Sequence, residues 1–172
     1  MRLPLGSLGG EAVLLSDGNY VSFASRTFGD SKSRILASVF IIDPRVGDAP
    51  EPHVFNLLIA CRDAMGRGAD VRILIGGSRR NHEIGASAQL AWDLCRALGL
   101  DARWLTAMDT RGSHMKLVVA DDTVIVGSHN WSAGAFDGQS QESVAIRSPS
   151  LAAVCARTFE NQWNRTEHAP RS

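Results

Sequence analysis

The 172-residue chain is 44% hydrophobic and 21% charged, the composition of an ordinary globular protein, and its length points to a single domain over 1–172 with a core of about 12–165. Eighteen Lys and Arg balance eighteen Asp and Glu. A net charge of zero argues against bulk electrostatic binding to nucleic acid, though it leaves room for a local basic groove.

Cys61, Cys95 and Cys155 are odd in number, far apart and outside any C-x-x-C pair, which excludes a disulfide framework and points to buried reduced thiols in a reducing compartment. No apolar run approaches the ~20 residues needed to cross a bilayer. The start Met1-Arg2-Leu3-Pro4-Leu5-Gly6 is too short and interrupted for a signal segment. A cytoplasmic location is therefore the expectation.

Along the chain, Val13-Leu14-Leu15 suggests a short first strand, ended by the turn-like Ser16-Asp17-Gly18-Asn19, and residues 20–31 a weakly periodic helix. The apolar, β-branched run from Ile35 to Ile42 reads as a buried central strand stopped by Asp43-Pro44. Residues 46–52 read as a polar loop. His53 to Arg67 has helical spacing through Val54, Leu57, Leu58, Cys61 and Met65.

Val71 to Ile75 is the next strand, Gly76 to Gly85 a loop, Ala86 to Leu98 a helix, and Ala102 to Leu105 a short strand. His114–Ala120 and Thr123–Val126 form a hairpin across Asp121-Asp122. Ser143–Ile146 is a last strand. Ser148-Pro149 supplies the cap and first residue of a final helix, and residues after Arg165 read as a tail. This alternation predicts an α/β sandwich, a mixed and largely parallel sheet flanked by helices on both faces.

The chemistry concentrates in one stretch. His114-Met115-Lys116 and Asp121 spell H-x-K-x4-D; after five more residues comes Gly127-Ser128-His129-Asn130, or G-S-x-N. Strand alternation puts His114 and Lys116 on one face and Met115, Leu117 and Val119 on the other. A neutral imidazole can attack phosphorus near pH 7. Lys116 can neutralise the non-bridging oxygens as charge builds, with hydrogen bonds added by Ser128 and Asn130. A downstream carboxylate could fix the tautomer of His114, and Glu142 is the candidate.

These motifs resemble those of the phospholipase D superfamily, whose members share the HKD motif. Ile35–Ile42, the helix after it, and Arg67-Gly68-Ala69-Asp70-Val71-Arg72-Ile73-Leu74 extend the resemblance over roughly residues 20–165. The resemblance implies His114 as nucleophile, Lys116 and Asn130 as phosphate ligands, Glu142 as the partner of His114, and Ser128 as a further phosphate contact. Asp121 belongs to the motif, but its odd offset from His114 favours a bracing role.

The motif occurs once. In-line displacement needs an acid facing the nucleophile across phosphorus, and a second copy of the chain is the simplest source, in a two-fold homodimer. Within the chain the rivals are His53, a solvated neighbour of a helix start, His82 in the Arg79-Arg80-Asn81-His82 loop, and His129, read as a surface or substrate contact. Arg79 and Arg80 are candidates to grip flanking phosphates, with a solvated turn as the equal alternative; Arg111 has the same ambiguity. Trp131 could stack on a base or pack beneath the site.

Small single-motif relatives of this kind imply a metal-independent endonuclease on DNA or RNA, working through a phosphohistidine, with no cofactor and no metal. A phospholipase of the same chemistry and a nucleic-acid-binding module with little turnover are the alternatives. Expected partners are nucleic acid, a second copy and conceivably a larger complex, without stable membrane association.

Overall fold

The computed structural model describes residues 2–5, 10–78, 81–105 and 113–166. The elements in chain order are β1 (Arg2–Leu5), β2 (Gly10–Ser16), α1 (Asn19–Asp30), β3 (Arg34–Val39), β4 (Arg45–Val46), β5 (Ala49–Pro50), α2 (Pro52–Gly66), β6 (Asp70–Ile75), α3 (His82–Ala97), β7 (Asp101–Trp104), β8 (Lys116–Ala120), β9 (Thr123–Gly127), β10 (Glu142–Arg147) and α4 (Pro149–Thr166). A π-helical turn, Gly134–Gly138, precedes β10.

Among the described residues eight strands form one sheet in the order β1-β2-β10-β9-β8-β3-β6-β7. Only β3–β6 and β6–β7 pair in parallel; the other five pairings are antiparallel. The α/β sandwich is as expected, but the sheet is mostly antiparallel rather than mostly parallel. The cause is connectivity. Only α2 and α3 make helical crossovers between adjacent strands, whereas β8, β9 and β10 follow one another by reversal.

Strand β3 is buried on both faces, from Ile35 to Val39, as a central strand must be. Its odd-numbered residues Ile35, Ala37 and Val39 join Val118, Ile73 and Ile75 under α1, α2 and α3. Its Leu36 joins Leu74, Leu117, Val119 and Val124 under Phe159 and Trp163 of α4. Helices thus cover both faces. Each fully buried Leu, Ile or Phe contributes roughly 1.5–3 kcal/mol of transfer free energy. On α4, Trp163 lies under two guanidinium groups, Arg103 at 4.0 Å and Arg72 at 5.5 Å from its ring centre. Arg72 also bridges Asp70 and Glu160.

Several boundaries differ from the pattern reading for local reasons. The apolar run after Lys32 leaves the sheet at Val39, because the Ile41 amide donates to the Asn130 side chain and the Ile41 carbonyl and Asp43 amide pair with the Trp131 backbone instead. Helix α3 begins at His82 rather than Ala86, because the Asn81 side chain accepts from the Glu83 and Ile84 amides. The 46–52 loop contains the β4–β5 hairpin, turned at Gly47 with φ of +59°. The edge strand β1 and the π-helical turn have no period that a pattern could reveal.

Gly127 ends β9 where β10 begins, and a Cβ there would lie 2.3 Å from Ser143 Oγ and 2.4 Å from the Glu142 carbonyl oxygen. Only a bare α-carbon allows the two strands to close at this end. Gly127→Ala is therefore expected to destabilise the fold by about 1–3 kcal/mol. Urea titration should show a lower midpoint at an unchanged slope; a parental midpoint would contradict the close approach.

Candidate active site

Strand directions gather the site at one end of the sheet. The ends of β3, β6, β9 and β2 and the starts of β8 and β10 lie together there. His114 sits just before β8 and is exposed, and Lys116 opens the strand half-buried. Their equal parity with Val118 and Ala120 turns both toward the α1–α3 face.

The Lys116 Nζ lies 3.2 Å from His114 Nδ1 and 3.4 Å from its Nε2, and it donates to the His114 carbonyl at 3.1 Å. Burial pushes the Lys116 ammonium below its ordinary range. No described carboxylate pairs with it. A base or nucleophile and a cation thus share one small volume, which is what a phosphoryl oxygen cluster requires.

Asn130 is positioned by its side-chain oxygen, which accepts from the Ile41 amide at 3.1 Å. With that oxygen pinned, the amide NH2 is the end left to donate, and it has no partner among the described residues. Ser128 is tied more tightly. Its hydroxyl accepts from the Glu142 amide at 3.0 Å and donates to the Glu142 carbonyl at 3.2 Å, beside a backbone bond of 2.9 Å. Ser128 therefore staples β9 to β10 as well as facing the site end.

The Glu142 carboxylate does not meet His114 within the chain. Both its oxygens accept from the Ser16 hydroxyl, at 3.1 and 3.2 Å. Strand alternation explains this: Glu142 shares a face with Val144 and Leu14, opposite that of Lys116.

Asp121 lies at the far end of β8, on the order of 16 Å of strand from Lys116. It sits in a tight turn with φ of +48°. Its carboxylate accepts from the Lys32, Ser33 and Arg34 amides at 2.9, 2.9 and 3.0 Å and from the Ser33 hydroxyl at 2.6 Å. These hydrogen bonds outweigh the effect of burial and pull its pKa down to about 2. Asp121 is a brace between β8 and β3 and not a member of the reacting group, which corrects its place among the catalytic candidates.

Trp131 is fully buried, its indole N–H donating to the Tyr20 hydroxyl at 3.0 Å. It cannot stack on a base, because no face of it reaches solvent. His129 is also fully buried, against the expectation of a surface contact. Its ring stacks on Tyr20 at 4.5 Å, with Nδ1 2.8 Å from Ser143 Oγ. Burial lowers its pKa and favours the neutral ring. Tyr20, Trp131 and His129 form the floor beneath Ser128 and Asn130.

Arg79, Arg80 and Arg111 lie outside the described residues. His82 opens α3 and lines a 450 Å³ cleft with Asp43, Arg45 and Ser87. Arg45 pairs with Asp43, whose carboxylate also accepts from the Ser87 hydroxyl at 2.7 Å, and these partners hold Asp43 below the usual carboxylate range against the opposing effect of burial. Among the described residues, the side chains grouped closely enough to hold a metal ion are Glu51, His53 and Asp137, at the start of α2 and in the π-helical turn.

One contributor escaped the pattern reading. The Phe40 ring centre lies 4.3 Å from that of His114 and 5.0 Å from Lys116 Nζ. Phe40 stood inside an apolar run, so composition marked it only as core.

A family described as "Cardiolipin synthase, PLD-like domain" matches residues 25–163. The chain belongs to this phospholipase D-like family. This phospholipase D-like domain is 27% identical over 159 residues to phospholipase D Z of Dictyostelium discoideum, covering 86% of the chain and 37% of that relative. The chain thus spans little more than a third of its curated relative. Its fold is similar to that of Nuc, a phospholipase D family member from Salmonella typhimurium, with a TM-score of 0.72, 23% identity, and coverage of 90% of this chain and 95% of the other. It is also similar to TrmBL2, an archaeal chromatin protein with a described mode of DNA binding (TM-score 0.55, 17% identity, 90% and 52% covered). Among the described residues no helix is long and apolar enough to cross a membrane.

The folded-state pKa of Asp121 lies below the unfolded value of about 3.9, so its carboxylate stabilises the fold above that value and ceases to do so as pH falls through about 2. Asp121→Asn should lower stability by about 1–3 kcal/mol at neutral pH, with the two proteins converging between about pH 4 and pH 2. Thermal melts across that range check this. A difference independent of pH would contradict the bracing role of the charge.

Proposed function

We propose that this domain is a metal-independent phosphodiesterase acting on nucleic acid, with a site completed by a second copy. The observation that carries the reading is the placement of His114, an unneutralised Lys116 and the free NH2 of Asn130 at one sheet end. A ring nitrogen of His114 attacks phosphorus, and the bond to the leaving oxygen breaks with its electron pair on that oxygen. An acid on the opposite side supplies the proton. Water then attacks the phosphohistidine, breaking the P–N bond and releasing the phosphate product. Lys116 and Asn130 hold the non-bridging oxygens throughout, and Ser128 joins them when its hydroxyl proton turns from the Glu142 carbonyl to the substrate.

The acid facing His114 is taken to be His114 of a second copy, since the motif occurs once. The sheet itself offers a face for that copy. Leu14, Val144 and Val126 form a cross-strand apolar row on the α4 side, and Leu14 and Val126 are 46% and 44% exposed. Helix α4 packs over β3, β7, β8 and β9 and leaves Leu14 and Val126 exposed. The row lies two residues from Glu142 and Ser16, at the catalytic end, so burying it against a second copy brings two half-sites together. Glu142, out of reach of His114 in its own chain, is then available to orient the facing imidazole. Arg79 and Arg80, which follow β6 in sequence, are the proposed contacts to flanking phosphates.

Nucleic acid is preferred over lipid as substrate because the similarity to Nuc extends over 95% of that chain, and TrmBL2 carries DNA binding on a similar fold. The relation to phospholipase D Z keeps a lipid substrate as the second reading.

Single- and double-stranded DNA, RNA and phospholipid vesicles, each with chelator present, distinguish these readings. Cleavage of nucleic acid that His114→Ala abolishes is the expected result. Cleavage of phospholipid alone would favour the second reading, and cleavage that needs added Mg²⁺ and survives His114→Ala would overturn the mechanism.

Val126→Glu places a charge in the exposed apolar row. It should convert a dimer to a monomer in sedimentation and lower cleavage at least tenfold while leaving the melting temperature nearly unchanged. A fully active monomer would refute the composite site.

A further inference from the structure

Among the described residues the half-buried Phe40 is the aromatic side chain that meets both His114 and Lys116. From its contacts we infer that it is a positioning residue: its ring holds the His114 imidazole and the Lys116 ammonium in register without neutralising the lysine. The inference rests on the phosphodiesterase reading of the site.

A lysine required to attract phosphate must be kept in place by something. A carboxylate would do so, but it would cancel the positive field that the phosphoryl oxygens are to meet. An aromatic face attracts an ammonium through its quadrupole and leaves the charge whole. Lys116 Nζ lies 5.0 Å from the Phe40 ring centre, and no described carboxylate pairs with it. The same ring packs against His114, centre to centre at 4.3 Å and tilted by 43°. That contact restricts rotation of an exposed imidazole while leaving its nitrogens unblocked. Among the described residues the His114 ring has Lys116 as its hydrogen-bonding partner and Phe40 as its aromatic one.

The backbone around Phe40 is fixed from two sides. A Cβ on Gly76 would lie 2.6 Å from Phe40 Cα, so β6 runs hard against it. The next amide, that of Ile41, donates to Asn130 Oδ1. One dipeptide, Phe40-Ile41, therefore touches His114 and Lys116 through a ring and Asn130 through a backbone N–H. A nucleophile and a cation at the start of β8 and a donor after β9, on two separate chain segments, are held against the dipeptide that follows β3.

The experiment compares Phe40→Leu, Phe40→Tyr and His114→Ala in the full chain on the best phosphodiester substrate of the assay above. Phe40→Leu keeps the bulk and loses the aromatic face; Phe40→Tyr keeps both. Phe40→Leu should lower kcat about tenfold with KM changed less than threefold, and Phe40→Tyr should stay within threefold of the parent in both. In proton NMR without substrate, the His114 ring resonances should be shifted upfield by the Phe40 ring current in the parent and in Phe40→Tyr. They should move to solvent-like positions in Phe40→Leu. This readout needs no activity, so it separates failure of the inference from failure of the functional reading, which His114→Ala addresses. Parental kcat in Phe40→Leu, unshifted His114 resonances in the parent, or equal losses in both Phe40 variants would each overturn the positioning role.

Discussion

The active end of this sheet depends on a backbone strap. Strand β8 lies between β3 and β9 and starts only at Lys116, and beyond that start the extensions of β3 and β9 meet directly. Trp131 donates to the Ile41 carbonyl at 3.0 Å, Asp43 donates to the Trp131 carbonyl at 2.8 Å, and Ile41 donates to the Asn130 side chain. Ile42 and Trp131 pair as a short parallel bridge over the end of β8. Buried backbone groups must find partners, and here they find each other across a gap where no third strand intervenes. The strap fixes Asn130 relative to Phe40, and hence relative to His114 and Lys116. Beneath it the buried Tyr20 stacks on His129 and accepts the Trp131 indole N–H, which anchors the loop in the core.

The charges are segregated by the same geometry. Carboxylates belonging to the motif or placed near it are spent on the scaffold: Asp121 on three amides and a hydroxyl at the far end, Glu142 on Ser16 across the opposite face, Asp43 on Arg45 and Ser87. Lys116 is left with an imidazole and an aromatic ring for neighbours. An isolated half-buried ammonium destabilises a fold modestly, and burial lowers its pKa in consequence. That cost is tolerable where an anion will complete the pairing. Its acids are held elsewhere, and this leaves the positive charge of Lys116 open to the phosphate of the proposed reaction.

The sequence disclosed this reacting group well and its surroundings poorly. His114, Lys116 and Asn130 were legible because their types and spacing have one obvious chemical use, and strand parity put His114 and Lys116 on one face, as the fold does. Parity also separated Asp121, though the motif had kept it on the catalytic roster. Applied to Glu142, parity would have placed it on the other face, but that requires the strand register, which only pairing supplies. His129 looked exposed because it neighbours two polar residues; its burial follows from the turn after β9, where alternation no longer holds. Trp131 and Phe40 stood in apolar contexts where a floor residue and a site residue look alike. The parallel sheet was overestimated for a related reason. Helical segments between strands suggest crossovers, while the β8–β9–β10 reversals and the antiparallel β1–β2 edge decide most of the pairings.

A half-built site and a half-covered sheet are two aspects of one geometry. On the α4 face, Leu14 of β2 and Val126 of β9 are left exposed, and this open part ends beside Glu142 and Ser16 at the same end of the sheet as His114. Apolar residues such as Leu14 and Val126 gain by burial at roughly 25 cal/mol per Å², so the open row drives association of whatever fits it. The two-fold partner of the proposed function would bring the same open row from each copy. Glu142, on the face opposite its own histidine, lies on the side of the sheet that such a partner would approach. The apolar row and the stranded carboxylate are separate features of the sequence, yet they select the same surface. In the proposed dimer the facing acid, His114 of the second copy, meets the site at the shared end of the sheets, where the two faces come together.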